Sequence, residues 1–156
     1  MGFKSVILVV NDVYKSRTLY EGLLHCEVDG DFGEYNVGFK GGLSLYKKTL
    51  FIELTGKEEI TSKAHNCTVY FEFTDIEALE KKIRQEKFEF VHPLREQPWG
   101  QRVFRFYDYD GHMIEAAEDM SVVFLRMRNS GMSVPEIAQK TGYTRERTQE
   151  ELDKLK

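Results

Sequence analysis

The chain has 156 residues, of which 41% are hydrophobic and 13% aromatic, and its formal net charge is -4. A chain of this length can bury one sizeable core, so we expect one domain with at most a small appendage. The negative charge balance excludes a global positive field as the basis for binding nucleic acid or an anionic membrane.

The first predicted element is a strand in the apolar stretch FKSVILVVNDV, residues 3–13. Asn11-Asp12 interrupts this stretch too early for a membrane span or a signal peptide, so we expect a cytoplasmic protein without a membrane partner. Asp12 is a suitable N-cap residue, and Leu19 and Leu23 recur after it at helical spacing. The sequence therefore predicts a strand followed by a helix.

The start of the chain recurs once. NCTVYFEFTDI, residues 66–76, repeats the pattern of FKSVILVVNDV at an offset of 63 residues, and a second helical pattern follows it. In both copies, short extended runs punctuated by glycine come after the helix. Each copy therefore reads as βαβββ, and we place the two modules at about residues 3–55 and 66–118 of a domain that covers residues 1–118.

The last two strands of the second module are predicted to fold over Asp110-Gly111, a dipeptide that supplies the positive φ angles of a tight hairpin. This hairpin corresponds to one at Gly41-Gly42 in the first module, which places Tyr46 opposite Glu115 in the alignment. Glu115 lies in mid-strand among apolar neighbours. A carboxylate there needs a metal, a cation or hydrogen-bond donors, because an ionised group is costly to desolvate.

Two such modules are each too small to close a core, so we expect an α+β fold in which they pair into an incomplete barrel with a concave cleft. The segments VILVVNDVYKSRTLYEGLL and PWGQRVFRFYDYDGHMIEAAED, together with the duplicated order, resemble the vicinal oxygen chelate superfamily. This superfamily includes glyoxalase I, extradiol dioxygenases and the fosfomycin and bleomycin resistance proteins. The resemblance implies the same fold, and it implies a homodimer, because family members often border their clefts across a two-fold axis.

The resemblance also implies up to four metal-ligand positions in the cleft, which fall on Ser5, Tyr46, Thr68 and Glu115. Only Glu115 is a usual ligand of a catalytic divalent metal. The spacing of the four histidines provides no alternative set, and Cys26 and Cys67 do not have the spacing of a zinc ribbon. We therefore expect no metal cofactor.

Strand alternation predicts which side chains line the cleft. With Thr68, Tyr70 and Glu72 share one face of their strand, and Trp99 approaches the next hairpin as a rim or lid. With Ser5, Tyr46 and Glu115, these residues would form an aromatic wall with two carboxylates. Such a wall suits an aromatic or cationic organic molecule.

A purely structural interpretation of the same residues remains open. Arg102 or Arg105 could pair with Glu115 or Glu72 in an internally satisfied network. The tyrosines could serve only for packing.

After residue 118 the pattern changes to three helices, which we interpret as an extension over residues 119–156. The segment GMSVPEIAQKTGYTRERTQEEL resembles a helix-turn-helix, which would suit a ligand-sensing regulator. However, residues 145–156 hold four basic and four acidic side chains, whereas phosphate contact normally requires a clear excess of positive charge. We therefore expect a packing appendage and no nucleic-acid partner.

The function that the sequence supports best is metal-independent binding of a small molecule, similar to bleomycin-resistance-type proteins. A glyoxalase-related metal-dependent lyase, isomerase or dioxygenase is the alternative, with Glu115 as metal ligand or general base. The sequence leaves open which of the two applies.

Overall fold

The computed structural model describes residues 2–155; Met1 and Lys156, the ends of the predicted spans 1–118 and 119–156, lie outside the described residues. Its first sheet contains strands β1 (Val6–Val10), β2 (Val28–Asp31), β3 (Asn36–Phe39) and β4 (Leu43–Lys47) in the order β1-β4-β3-β2. Strands β1 and β4 are parallel. The other neighbours in this sheet are antiparallel.

The first helix, α1 (Val13–Arg17), continues as a π-helical segment over Thr18–Leu23. The Asp12 carboxylate caps α1 by accepting a hydrogen bond from the Lys15 backbone N–H at 3.0 Å. A further helix, α2 (Lys48–Thr55), follows β4 at the end of the first module, and it ends at Gly56 with φ +66°. The strand-helix start of the first module is confirmed.

The second sheet contains β5 (Thr68–Phe73), β6 (Phe90–Glu96), β7 (Arg102–Tyr107) and β8 (Met113–Glu118) in the order β5-β8-β7-β6. Helix α3 (Ile76–Gln85) follows β5 and is capped by the Asp75 side chain. The order of elements repeats that of the first sheet, so the two βαβββ modules of the predicted α+β fold are confirmed. Their pairing into an incomplete barrel around a cleft stays a prediction.

The C-terminal part consists of helices α4 (Met120–Asn129), α5 (Val134–Thr141) and α6 (Arg145–Lys154). They surround an apolar cluster of their own, whose buried members are Val123, Phe124, Met127, Ile137 and Leu152. Ser133 and Glu136 form a capping box at the start of α5, and Gly142 ends that helix with φ +78°. The predicted helical tail is confirmed.

The chain forms two compact units. The first contains the residues up to Val69 together with Tyr107–Met113, and the second contains Tyr70–Phe106 and the chain from Ile114 onwards. The hairpin turn of the second module therefore belongs to the first unit, and the C-terminal helices belong to the second. Between residues 2 and 155 there is no helix with the length and apolar character needed to cross a membrane.

Candidate functional site

Three of the residues predicted to bind ligand lie in the first unit. Ser5 precedes β1 and is partly buried, and Tyr46 lies in β4 opposite Val9. Thr68 is exposed at the start of β5, where its hydroxyl donates a hydrogen bond to the Met113 carbonyl oxygen at 3.2 Å. The structure gives these three hydroxyls no shared hydrogen-bond partner.

The other four predicted residues, Tyr70, Glu72, Trp99 and Glu115, lie in the second unit. Along β5 the exposed side chains Tyr70 and Glu72 alternate with the less exposed Phe71 and Phe73, as the period of two predicts. Five side chains of this sheet belong to two hydrogen-bonded groups, and we call them the polar face: Tyr70, Glu72, His92, Arg105 and Glu115.

The first group on the polar face is centred on Arg105. Its Nε donates to Glu115 Oε2 at 2.8 Å, and its Nη2 lies 2.7 Å from the same oxygen. Arg105 Nη1 lies 2.8 Å from His92 Nε2. Because an arginine N–H can only donate, His92 Nε2 accepts and the ring carries its proton on Nδ1, which donates to the Pro93 carbonyl oxygen. The imidazole is therefore neutral in this arrangement.

This geometry answers part of the question that Glu115 raises. Its side chain is only 12% exposed, and its Oε2 atom forms an ion pair with Arg105, which is one of the partners that the sequence analysis suggested. The other oxygen, Oε1, has no hydrogen-bond partner among residues 2–155. Glu115 is thus a mostly buried carboxylate with half of its acceptor capacity open.

The second group links Tyr70 to the only tryptophan of the chain. The Tyr70 hydroxyl donates to Glu72 Oε1 at 2.6 Å and accepts from Gln101 Nε2 at 2.9 Å. Trp99 Nε1 donates to Gln101 Oε1 at 2.9 Å. Burial raises the pKa of Tyr70 to about 12, with help from the bond to Glu72 and the charge of Glu115. The phenol therefore stays protonated at neutral pH.

Sequence reasoning missed Glu118, the most deeply buried carboxylate of the second unit. Arg102 donates to its Oε1 from Nη2 at 2.6 Å, and Arg126 of α4 donates to its Oε2 at 2.9 Å. Burial alone would raise the pKa of Glu118, but the bonds from these two arginines outweigh burial and hold the pKa below its ordinary value. Strand alternation places this side chain on the face of β8 opposite to Glu115, so the pattern could have separated the two carboxylates.

A second missed group lies in the hairpin turn of the first unit. The Asp108 side chain is 1% exposed and accepts hydrogen bonds from the Tyr20 hydroxyl at 2.7 Å and from His112 Nδ1 at 2.8 Å. The backbone N–H groups of Asp110 and His112 also donate to it. Burial alone would raise the pKa of Asp108, but the bonds from His112 and Tyr20 keep it below the ordinary value. The spacing of the stretch YDYDGH was a signal for such a turn.

His112 borders a cavity of about 110 Å³ in the first unit, together with His65 and Cys67. His65 uses Nε2 for a contact with the Tyr107 hydroxyl, and His112 uses Nδ1 for Asp108. None of the seven residues predicted to bind ligand lines this cavity.

The side chains at the family's four metal positions are mostly unsuitable as metal ligands. Three of the four positions hold hydroxyls, which are not ordinary ligands of catalytic zinc. Within residues 2–155, no three His, Cys, Asp or Glu side chains are grouped so that they could hold a metal ion. The residues present do not fit the metal that the fold family implies.

The model of the glyoxalase-like domain family matches residues 3–121 of the chain. The chain belongs to this family. It is thereby a member of the vicinal oxygen chelate superfamily, as the sequence predicted. The match ends at the start of α4, so most of the C-terminal helical part lies beyond it.

Solved structures agree with this assignment. A protein of unknown function from Agrobacterium tumefaciens str. C58 is 35% identical, with a TM-score of 0.65 over 76% of this chain and 94% of that chain. A glyoxalase/bleomycin resistance protein/dioxygenase from Nocardioides is 21% identical, with a TM-score of 0.57 over 76% and 83% of the two chains.

A lactoylglutathione lyase from Agrobacterium tumefaciens is 15% identical, with a TM-score of 0.57 over 76% of this chain and 94% of that chain. At this identity, and at that of the Nocardioides protein, the likeness shows the fold alone. No curated protein matches the chain.

Proposed function

We propose that this glyoxalase-like protein is a metal-independent binding protein for a small aromatic or cationic organic compound, and that the polar face is its binding site. The observation that carries the proposal is the open Oε1 atom of Glu115 on a face that also presents exposed aromatic rings. A mostly buried carboxylate with an unused oxygen is a partner for a cation.

The charges of the polar face favour a positively charged ligand. Glu72 and Glu115 contribute two negative charges, Arg105 contributes one positive charge, and His92 is neutral in its hydrogen-bonding arrangement. The net charge is therefore -1. Because the Glu115 side chain is only 12% exposed, its interaction with a ligand charge is screened less than that of a carboxylate on an open surface.

The aromatic side chains supply the second half of the site. Tyr70 is 48% exposed and Trp99 is 39% exposed, so both can contact a ligand. The Gln101 amide holds both side chains by their polar ends, which leaves the ring faces for stacking or for cation–π contacts.

The metal-dependent lyase or dioxygenase alternative is not favoured by any observation on the described residues, because three of the family's four metal positions hold hydroxyls and only Glu115 is a usual ligand. Nucleic acid is likewise not our proposed partner. The exposed charged side chains of α6 are three acidic and three basic ones: Glu146, Glu150, Asp153, Arg145, Arg147 and Lys154. This helix therefore does not present the excess of positive charge that phosphate requires. We further propose a cytoplasmic location and a homodimer; light scattering on the purified protein would test the dimer.

A series of three probes with one ring and different charges tests the proposed function: 2-phenylethylammonium, 2-phenylethanol and phenylacetate. Calorimetric titration in a chelator-containing buffer should give a Kd of the order of 1 mM for the cation, as expected for such a small ligand. The anion should bind about tenfold more weakly, because the face carries net negative charge. Equal binding of all three probes, or no binding of any, would contradict the proposal.

A further inference from the structure

We propose that the C-terminal helices α4 and α5 hold the Trp99 loop, residues 96–101, in place on the polar face, so that the docking of these helices controls how Trp99 meets a ligand. The control of the loop is independent of the ligand. Its consequence for binding rests on the proposed function.

The Trp99 loop is closed by its own backbone. Gln97 N–H donates to the Gln101 carbonyl oxygen at 2.8 Å, and Gly100 N–H donates to the Gln97 carbonyl oxygen at 2.8 Å. Gln101, which is 4% exposed, fixes Trp99 and Tyr70 through its side-chain amide and also donates to the Glu118 carbonyl oxygen at 2.8 Å. The loop thereby sets the relation between the tryptophan and the polar face.

Helix α4 contacts this loop at two points through the side chain of Arg126. Arg126 Nη2 donates to the Gly100 carbonyl oxygen at 2.6 Å and to Glu118 Oε2 at 2.9 Å. Its Nη1 reaches Glu96 Oε2 at 3.3 Å. A single arginine therefore ties α4 to the start of the loop, to its glycine and to the end of β8.

Helix α5 adds a second attachment. Lys140 Nζ lies 2.8 Å from Glu96 Oε1, and this bond is the main cause that lowers the pKa of Glu96. At Gly100, where φ is +86°, an added Cβ atom would come within 2.0 Å of Met127 Cε and 3.1 Å of Lys140 Cε. The two helices therefore pack directly on the loop backbone, at a position that only glycine suits.

One unpaired group makes the loop depend on these contacts. Gln97 Nε2 is buried and has no hydrogen-bond partner in the part of the chain that the structure describes. Opening of the loop would hydrate this donor, which favours the open form. The contacts from Arg126 and Lys140 offset that tendency. By reciprocity, a ligand that contacts Trp99 stabilises the docked position of the helices.

The test uses Trp99 as a reporter, because it is the only tryptophan in the chain. Arg126→Gln removes the bonds from α4 to the loop. The control, Arg128→Gln, changes an exposed arginine two residues further along the same helix. In the full-length protein, Arg126→Gln should raise the acrylamide quenching constant of Trp99 about twofold and shift its emission to the red, because the loop opens locally. Arg128→Gln should leave both unchanged.

Unchanged quenching in a folded Arg126→Gln protein, with wild-type far-UV circular dichroism, would overturn the inference. If Arg126→Gln does not fold, Lys140→Gln decides, because it removes the solvent-accessible bond to Glu96 and leaves every contact of Arg126 in place. That variant should raise the quenching constant in the same direction by a smaller factor. No change in it would equally overturn the inference.

A second measurement separates this inference from the proposed function. Arg126→Gln should weaken the binding of 2-phenylethylammonium about fivefold, because the Trp99 loop is no longer ordered before binding. Arg128→Gln should bind this probe as the wild type does. Equal affinities in both variants would refute the control of binding by the helices. Absence of binding by the wild type would refute the proposed function and leave the fluorescence result standing.

Discussion

Two glutamates on strand β8, Glu115 and Glu118, lie on opposite faces of one sheet and are neutralised to different extents. Glu118 is fully buried, and arginines from β7 and α4 occupy both of its oxygens. Glu115 is 12% exposed and shares one oxygen with one arginine. A carboxylate whose oxygens are all used serves the fold, whereas one that keeps an open oxygen can also serve a ligand.

The same contrast extends to the first unit. Asp108 is as deeply buried as Glu118, and it is surrounded by a phenol, an imidazole and two backbone N–H groups. Its partners come from the π-helical segment and from the hairpin turn itself. Each unit therefore has one buried carboxylate whose oxygens are all hydrogen-bonded, Asp108 in the first unit and Glu118 in the second. The carboxylates with an open oxygen lie on the polar face.

The largest expected effect is on stability, at Glu118. Glu118→Gln removes the charge of a fully buried carboxylate from Arg102 and Arg126, which then keep only their more exposed partners Glu77 and Glu96. This variant should cost about 3 kcal/mol of unfolding free energy, or roughly 10 °C in Tm. Glu115→Gln removes one pairing and should cost only about 1 kcal/mol. Denaturant titration of both variants measures the difference. Equal losses would mean that the two faces do not differ in the way described.

Asp108 should show the next largest effect. Asp108→Asn removes the charge that His112 and Tyr20 share, and it should cost about 2 kcal/mol because a buried network loses its central acceptor. Tyr20→Phe removes a single hydrogen bond from the same network and should cost about 1 kcal/mol. Urea unfolding of the two variants provides the comparison. A larger loss for Tyr20→Phe would place the centre of the network elsewhere.

The His112–Asp108 pair also predicts a smaller, pH-dependent effect. Burial alone would lower the pKa of His112, but the bond and charge of Asp108 raise it above the ordinary value of 6.5. The stabilisation from protonated His112 is therefore complete below pH 6.5 and is lost as the pH rises through the raised folded pKa. It is also lost at low pH, as Asp108 is protonated below its ordinary value of 3.8.

The stability difference between the wild type and His112→Asn should thus be largest at about pH 5 to 6 and smaller at pH 9. Chemical denaturation across this range measures it. A difference that grows from pH 6 to pH 9 would contradict the assigned interaction.

Sequence reasoning identified the parts of this molecule that depend on short-range pattern. The duplicated strand, Asp N-cap and helix, the Asp110-Gly111 turn with φ +89° at the glycine, and the alternation of Tyr70 and Glu72 with phenylalanines are all local signals. They predicted both modules and the polar residues of β5.

The contacts that decide the roles of the carboxylates are not local. Arg102 and Arg126 reach Glu118 from positions 16 and 8 residues away, and Gln101 reaches Tyr70 across 31 residues. No periodicity predicts which arginine pairs with which glutamate, because the choice depends on how the C-terminal helices dock. The sequence offered Arg105 as one of two partners for Glu115, and only the fold selects it.

The proposed function requires that the open carboxylates of the polar face recognise a cation. The decisive experiment is a titration of the wild type and the double variant Glu72→Gln/Glu115→Gln with 2-phenylethylammonium and phenylacetate. The wild type should prefer the cation about tenfold, and the double variant, whose polar face keeps only the positive charge of Arg105, should lose or reverse that preference. A preference for the cation that survives in the folded double variant would contradict the claim.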